Sequence, residues 1–159
     1  MRSLVVTFTL IVAILGTASA AVVRLAPDFA LSSVAGKGRS LKSFRGQPVV
    51  LVIARSPKDG DFKQQAKFFK EIYQIFASKQ VVFIAAFTEH NDPITSEIPF
   101  VVAENGPAVA GAYGVVDKFN IVIIGKDGNV DYQTKKVLPP ERVHDVIQNS
   151  YEIQANTGR

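Results

Sequence analysis

The sequence predicts an α/β fold, a central mixed β-sheet flanked by helices and preceded by a strand pair, and three observations carry that prediction. Val49–Ala54, Val81–Phe87 and Asn120–Gly125 are near-continuous apolar runs rich in β-branched residues, the composition of strands buried on both faces of a sheet. Between the first two runs, Phe62, Ala66, Phe69, Tyr73 and Phe76 recur at spacings of four and three, which places them on one face of a helix. The order strand, helix, strand is that of a βαβ unit, and helices then cover the sheet it belongs to.

The elements follow in order. Asp28–Ser33, with Phe29 and Leu31 alternating against polar neighbours, reads as a short strand; Gly36-Lys37-Gly38 marks a turn, and Arg39-Ser40-Leu41 returns as its partner. Val49–Ala54 is the first central strand. Ser56-Pro57-Lys58-Asp59 has the form of a capping box, which predicts a helix with Ser56 as N-cap and Pro57 in its first position. Phe68, Ile72 and Ile75 widen the apolar face of that helix, while Lys63, Lys67, Lys70 and Glu71 fall largely outside it. Glu89–Pro99 is polar, holds two prolines and reads as a surface loop. Phe100-Val101-Val102 is a short strand, and Pro107–Tyr113 a short helix stopped at Gly114. Asn120–Gly125, the turn Lys126-Asp127-Gly128-Asn129 and Val130–Thr134 form a hairpin. Pro139-Pro140-Glu141 opens a last helix whose inner face carries Val143, Val146, Ile147 and Ser150.

Composition bounds the function classes. A chain of 159 residues with 47% apolar and 20% charged residues is globular and of a length for one ordinary domain. The net charge of +4 is spread among interleaved acids and bases, with no basic run or nucleic-acid motif, which favours a solvated surface over a polyanion-binding role. Arg2 is the sole charge before Arg24, and an apolar run from Leu4 to Leu15 leads to Ala18-Ser19-Ala20. A basic start, a short apolar core and an Ala-x-Ala site are the parts of a secretory signal peptide. The run is shorter than the roughly 20 residues of a membrane span, although an uncleaved anchor is the alternative. The expected organisation is therefore a signal peptide over 1–20 and a domain over 21–159, exported to the periplasm or the medium. The chain contains no cysteine. An exported domain without disulfides rests on its packed core alone.

Ala26-Pro27-Asp28-Phe29-Ala30-Leu31, Gly36-Lys37, Leu41, Phe44-Arg45-Gly46 and Val49–Val52, followed by Ala112-Tyr113-Gly114-Val115 and Ile123-Ile124-Gly125-Lys126-Asp127-Gly128, resemble the opening and the second half of thioredoxin-like redoxins. That superfamily includes the peroxiredoxins and the exported thiol-disulfide proteins of cytochrome maturation. The resemblance covers almost all of the chain after residue 20 and implies a thioredoxin-like fold. It also implies where the redox site would lie. Redox-active relatives carry a Cys-x-x-Cys pair at the start of the long helix, and Pro57 and Gly60 fall on those two positions. The cis-proline that faces the thiols falls nearest Phe119, in the stretch Asp117-Lys118-Phe119-Asn120. The chain most resembles a cysteine-free, exported bacterial branch of the superfamily with a Gly-Lys-Asp-Gly turn near its end and no established activity. Disulfide exchange and peroxide reduction both run through a thiolate. Met1 is the chain's one sulfur, so thiol catalysis is excluded.

Candidate sites follow from the residues themselves. Arg55, Ser56 and Lys58 stand at the predicted start of the long helix, where free N–H groups and the helix dipole favour an anion. The competing reading is that Ser56 is a cap and that Asp59 and Asp61 answer the dipole. Glu89-His90-Asn91-Asp92 and His144-Asp145 show no convergent metal spacing, and the sequence holds neither a Gly-x-Ser-x-Gly elbow nor a phosphate loop. No cofactor is expected. Tyr113 and Phe119 are core or groove aromatics. The expected site is thus the degenerate redox face, Arg55, Ser56, Pro57, Lys58, Asp59, Phe119 and Asn120, offering a groove to a protein, a peptide or a small anion. Two functional readings stand beside one another: a non-catalytic binding module, and an antioxidant or oxidoreductase whose chemistry a partner or cofactor supplies. A purely structural envelope role is the third.

Overall fold

The structure is a computed structural model that describes residues 24–34, 37–77 and 80–157, with the backbone alone at 34, at 37 and from residue 150 onward. The segment expected to be a signal peptide, the Gly36 end of the first turn and the Ser150 side chain lie outside these descriptions. An antiparallel pair, β1 (Ala30–Val34) and β2 (Lys37–Ser40), leads into a 3-10 turn at Leu41–Phe44. Lys37 and Gly38 therefore belong to the returning strand and not to the turn, while Leu41 begins the 3-10 turn. The remainder runs β3 (Val49–Ala54), α1 (Gly60–Ala77), β4 (Val82–Phe87), β5 (Val101–Val102), α2 (Gly106–Ala112), β6 (Phe119–Ile124), β7 (Val130–Thr134) and α3 (Pro140–Thr157).

The five-stranded sheet has the order β5-β4-β3-β6-β7. β3, β4 and β5 are parallel, β6 runs antiparallel to β3, and β7 antiparallel to β6. β3 is buried along its whole length because it is central and both faces are covered. Alternation splits its residues: Val50, Val52 and Ala54 pack in the layer of α1 and α3, and Val49, Leu51 and Ile53 in the layer of α2 and the N-terminal strand pair.

The α1 layer is aromatic. Phe62, Phe69 and Phe83 join Phe87 and Phe100 in edge-to-face and tilted contacts with centroids 5.0–6.1 Å apart, the arrangement that the ring quadrupoles favour. The buried stripe of α1 is Phe62, Gln65, Ala66, Phe69, Ile72 and Phe76. Phe68 and Tyr73 are half-buried, and Ile75, expected to widen this face, is 49% exposed. Gln65 is the polar member and is fully buried. Its Oε1 accepts from the Leu138 N–H at 2.7 Å, and its Nε2 donates to the Leu138 carbonyl at 3.1 Å, fixing the segment just before α3. In α3, Val143 and Ile147 are core residues and Val146 is partly buried.

Two glycines are dictated by their surroundings. A Cβ on Gly106, the first residue of α2, would lie 1.8 Å from the Phe87 carbonyl oxygen, so only glycine lets α2 approach the end of β4. Gly128 turns the β6–β7 hairpin at φ +83°, with the Arg45 guanidinium lying against it and donating to the Asp127 carbonyl at 2.8 Å. The N-terminal segment is fastened to the same hairpin: Leu25 bridges Asn129, and the Val130 N–H donates to the Arg24 carbonyl. Tyr113, at the end of α2, holds the segment from the other side through its hydroxyl, which donates to the Pro27 carbonyl at 3.0 Å. Burial pushes that hydroxyl well above the usual phenol range.

Candidate functional site

The site begins where β3 runs out. Arg55 continues the line of the strand, since its carbonyl accepts from the N–H groups of Glu89 and His90 just beyond β4. That pairing holds Arg55 out of the helix. The chain then turns over Ser56–Asp59, closed by the Asp59 N–H donating to the Ser56 carbonyl, and α1 starts at Gly60. Ser56 is therefore not the N-cap: its Oγ accepts from the Lys58 N–H at 3.2 Å, stabilising the turn itself. Asp59 holds the cap position, its carbonyl accepting from the Lys63 N–H, the first α1 bond. Pro57 is buried in the turn and not in a first helical position.

The electrostatics of the turn are internally answered. Asp59 Oδ2 accepts from both the backbone N–H and Nε of Arg55, each at 3.3 Å. Lys58 Nζ reaches Asp92 on the 88–100 loop at 2.8 Å. The hydrogen bond and charge of Lys58 hold the Asp92 carboxyl below the usual carboxylate range. Both cations expected to receive an anion thus have a carboxylate of the chain beside them.

The register brings in the second half of the predicted site. Ala54 pairs with Phe119 and Ile53 with Asn120, so the start of β6 lies directly beside the root of the turn. Phe119 does not line an open groove. It is 4% exposed and packs with Ile121 and Ile123 in the α1 layer, because strand alternation turns it inward. Asn120 faces the opposite layer by the same alternation. It is 6% exposed, and its Oδ1 is the one buried side-chain polar atom without a hydrogen-bond partner among the described residues. An acceptor in that state costs about 1–3 kcal/mol.

Because β3 lies between β4 and β6, two loops flank the turn at this edge of the sheet. On the β6 side, Val116 stands 95% exposed, the most exposed large apolar side chain described, followed by exposed Asp117 and Lys118. On the β4 side, beyond Asp92, a hollow of about 540 Å³ opens between Pro93, Ile94, Phe100 and Val102. Sequence reasoning missed both features. A lone valine and a proline-bounded loop carry no periodic signal, and only the strand order places them on either side of Ser56. No group of three or more metal-ligating side chains is gathered among the described residues, and no described helix is long and apolar enough to cross a membrane.

No protein-family model matches the chain, and no curated protein matches it. Solved structures do. A thiol:disulfide interchange protein, DsbE, from Chlorobium tepidum superposes with a TM-score of 0.66 at 19% identity, over 80% of this chain and 96% of that one. The thioredoxin domain of a thiol-disulfide oxidoreductase from Bacteroides vulgatus gives 0.62 at 16% identity, over 79% and 94%. The reduced 2-Cys peroxiredoxin of Plasmodium vivax gives 0.62 at 14% identity, over 85% and 97%. At these identities the likeness is one of fold: the chain has the thioredoxin-like architecture of thiol oxidoreductases and peroxiredoxins. It has none of the sulfur on which their names depend, since it holds no cysteine.

Proposed function

We propose that this chain is an exported, non-catalytic binding module that receives a peptide segment of a partner protein at the edge of the sheet formed by Arg55–Asp59, Val115–Asn120, Asp92–Ile94 and Ile98–Phe100. The observation that carries the reading is Asn120, a buried carboxamide whose oxygen has no partner, set in register against the root of the turn. Folding alone favours an apolar residue at this strand position, so a buried polar one with an unpartnered acceptor is a feature that folding does not select. Exposed Val116 and the hollow between Ile94 and Phe100 supply apolar contact on either side. A peptide suits the surface better than a small anion, because Asp59 and Asp92 already neutralise Arg55 and Lys58. Export is part of the proposal and rests on the signal-like residues 1–20. A fold analogy with thiol enzymes is no warrant for their activity.

The test has two arms. Purified metal-free protein is assayed for insulin reduction and peroxide consumption, and turnover above a no-protein control overturns the non-catalytic reading. A display library of unstructured peptides is then selected on the immobilised protein. Binders are expected to lose affinity for Val116→Asp and for the Arg55→Ala/Lys58→Ala pair; undiminished binding to both variants removes the site from this edge of the sheet.

A further inference from the structure

The outer side of α1 carries a feature that the edge of the sheet does not use. Lys63, Lys67 and Lys70 follow one another at spacings of four and three residues and line an open hollow of about 570 Å³ between α1 and the segment Thr95–Glu97, with Phe62 and Ala66 toward its floor. Lys70 is met across the hollow by the Glu97 carboxylate. The ammonium groups of Lys63 and Lys67 have no ion pair or hydrogen bond among the described residues. Glu71 lines the same hollow without pairing with Lys67, although it stands one helical turn away.

The Lys70–Glu97 contact shows what this stripe accepts: a carboxylate on a stretch of chain without regular structure that lies alongside the helix. The spacing of the two unpaired lysines extends the pattern. Residues four apart on a helix are separated by about 6 Å along its axis, and alternate residues of an extended chain by about 6.6 Å. Carboxylates at positions i and i+2 of an extended peptide therefore match Lys63 and Lys67 in step. A flat membrane surface does not enter a recess of this kind. Single-stranded nucleic acid finds no stacking platform, since the one aromatic residue in the lining, Phe62, is 2% exposed.

We propose that the α1 hollow is a second docking site, for an extended acidic peptide carrying Asp or Glu at alternate positions, with Lys63 and Lys67 as its charge partners. The site is independent of the reading given for the sheet edge. The probe is a fluorescein-labelled extended peptide with glutamate at alternate positions, followed by anisotropy on the full chain. Its glutamine counterpart, a single-stranded oligonucleotide and phosphatidylglycerol vesicles serve as competing ligands. Wild type is expected to bind the glutamate peptide, with affinity falling as salt rises. Lys63→Ala/Lys67→Ala is expected to weaken it by about tenfold, the scale of two exposed ion pairs. Lys42→Ala, which removes a single charge from the opposite face, where Lys42 meets Asp28, is expected to leave it unchanged. Equal loss in the Lys42 variant, equal binding of the glutamine peptide, preference for the oligonucleotide or vesicles, or no binding at all overturns the proposal. Both substituted positions are exposed, and matching thermal unfolding of the variants confirms that the fold is retained.

Discussion

Replacing Gln65 by leucine tests how the two halves of the α1 layer are joined. The Gln65 side chain is fully buried and makes two hydrogen bonds to the backbone of Leu138, which is itself 5% exposed. Leucine is of similar size and leaves no large cavity, so the dominant loss is electrostatic: a buried N–H and a buried carbonyl are left without partners. Each costs about 1–3 kcal/mol, and removing the buried amide itself offsets part of the sum. A net destabilisation of about 2–3 kcal/mol is expected. With a urea m-value of about 2 kcal/mol/M for a domain of this size, the unfolding midpoint falls by about 1–1.5 M at unchanged slope. Far-UV circular dichroism in urea measures it, checked by tyrosine fluorescence, the chain having no tryptophan. Gln65→Glu sharpens the test. A protonated carboxyl can both accept from and donate to Leu138, whereas a carboxylate faces the carbonyl and is repelled, so the folded-state pKa is raised. The variant is then nearest wild type below about pH 4.3 and loses stability as pH rises toward the folded value. A midpoint shift under about 0.3 M for the leucine variant, or a glutamate variant indifferent to pH, refutes the account.

Three further outcomes are expected. Gly106→Ala forces a Cβ into the Phe87 backbone, and backbone cannot give way as a side chain does, so α2 must shift at a cost of about 3 kcal/mol or more; soluble yield and the urea midpoint read it. Asn120→Val removes the unpartnered acceptor and places a β-branched residue in a strand, raising stability by about 1–2 kcal/mol, while peptide binding at the sheet edge falls; a midpoint equal to or below wild type contradicts this. Because Lys58 depresses the Asp92 pKa, this pair's contribution is present above the unfolded Asp value of about 3.9 and fades as pH falls through the folded value. Lys58→Ala is expected to move the Asp92 carboxyl titration upward by NMR.

The fold was legible wherever one physical demand governed a segment. β3 carries the boundaries read from the sequence, because six apolar residues in a row have no alternative to a doubly covered strand. β6 differs only in starting at Phe119 and ending at Ile124. The start of α1 was not legible. Ser56-Pro57-Lys58-Asp59 satisfies the rules of a capping box, yet the carbonyl of Arg55 is claimed by Glu89 and His90. Those donors lie more than thirty positions away, and they hold Arg55 in line with the strand, so the chain turns over Ser56–Asp59 before the cap falls on Asp59. Gln65 was missed because a glutamine in a helix reads as solvent-facing. Its place three residues after Phe62 and four before Phe69 put it inside the apolar arc, and that was the available signal. Phe119 was read by its counterpart in thiol enzymes, but strand alternation decides its direction.

What distinguishes this chain from the thiol enzymes whose architecture it shares is therefore more than the absence of cysteine. In the redox fold, the turn before the long helix must keep a nucleophile accessible, with the positive end of the helix dipole lowering its pKa. Here that end is occupied by Asp59 at the cap, and Asp59 is in turn tied to Arg55 at the strand's end. A carboxylate in that place disfavours any second negative charge, so cysteines introduced at 57 and 60, the positions that the resemblance to redoxins implies for the thiols, would have pKa values raised by it and not lowered. Pro57→Cys/Gly60→Cys is expected to reduce insulin poorly, and adding Asp59→Asn, which keeps a capping residue but removes the charge, is expected to raise the rate. If the double variant alone matches an active thioredoxin, the charge at Asp59 has no bearing on the chemistry. The turn would then be an enzyme site lacking only its sulfur, and not a surface organised for binding.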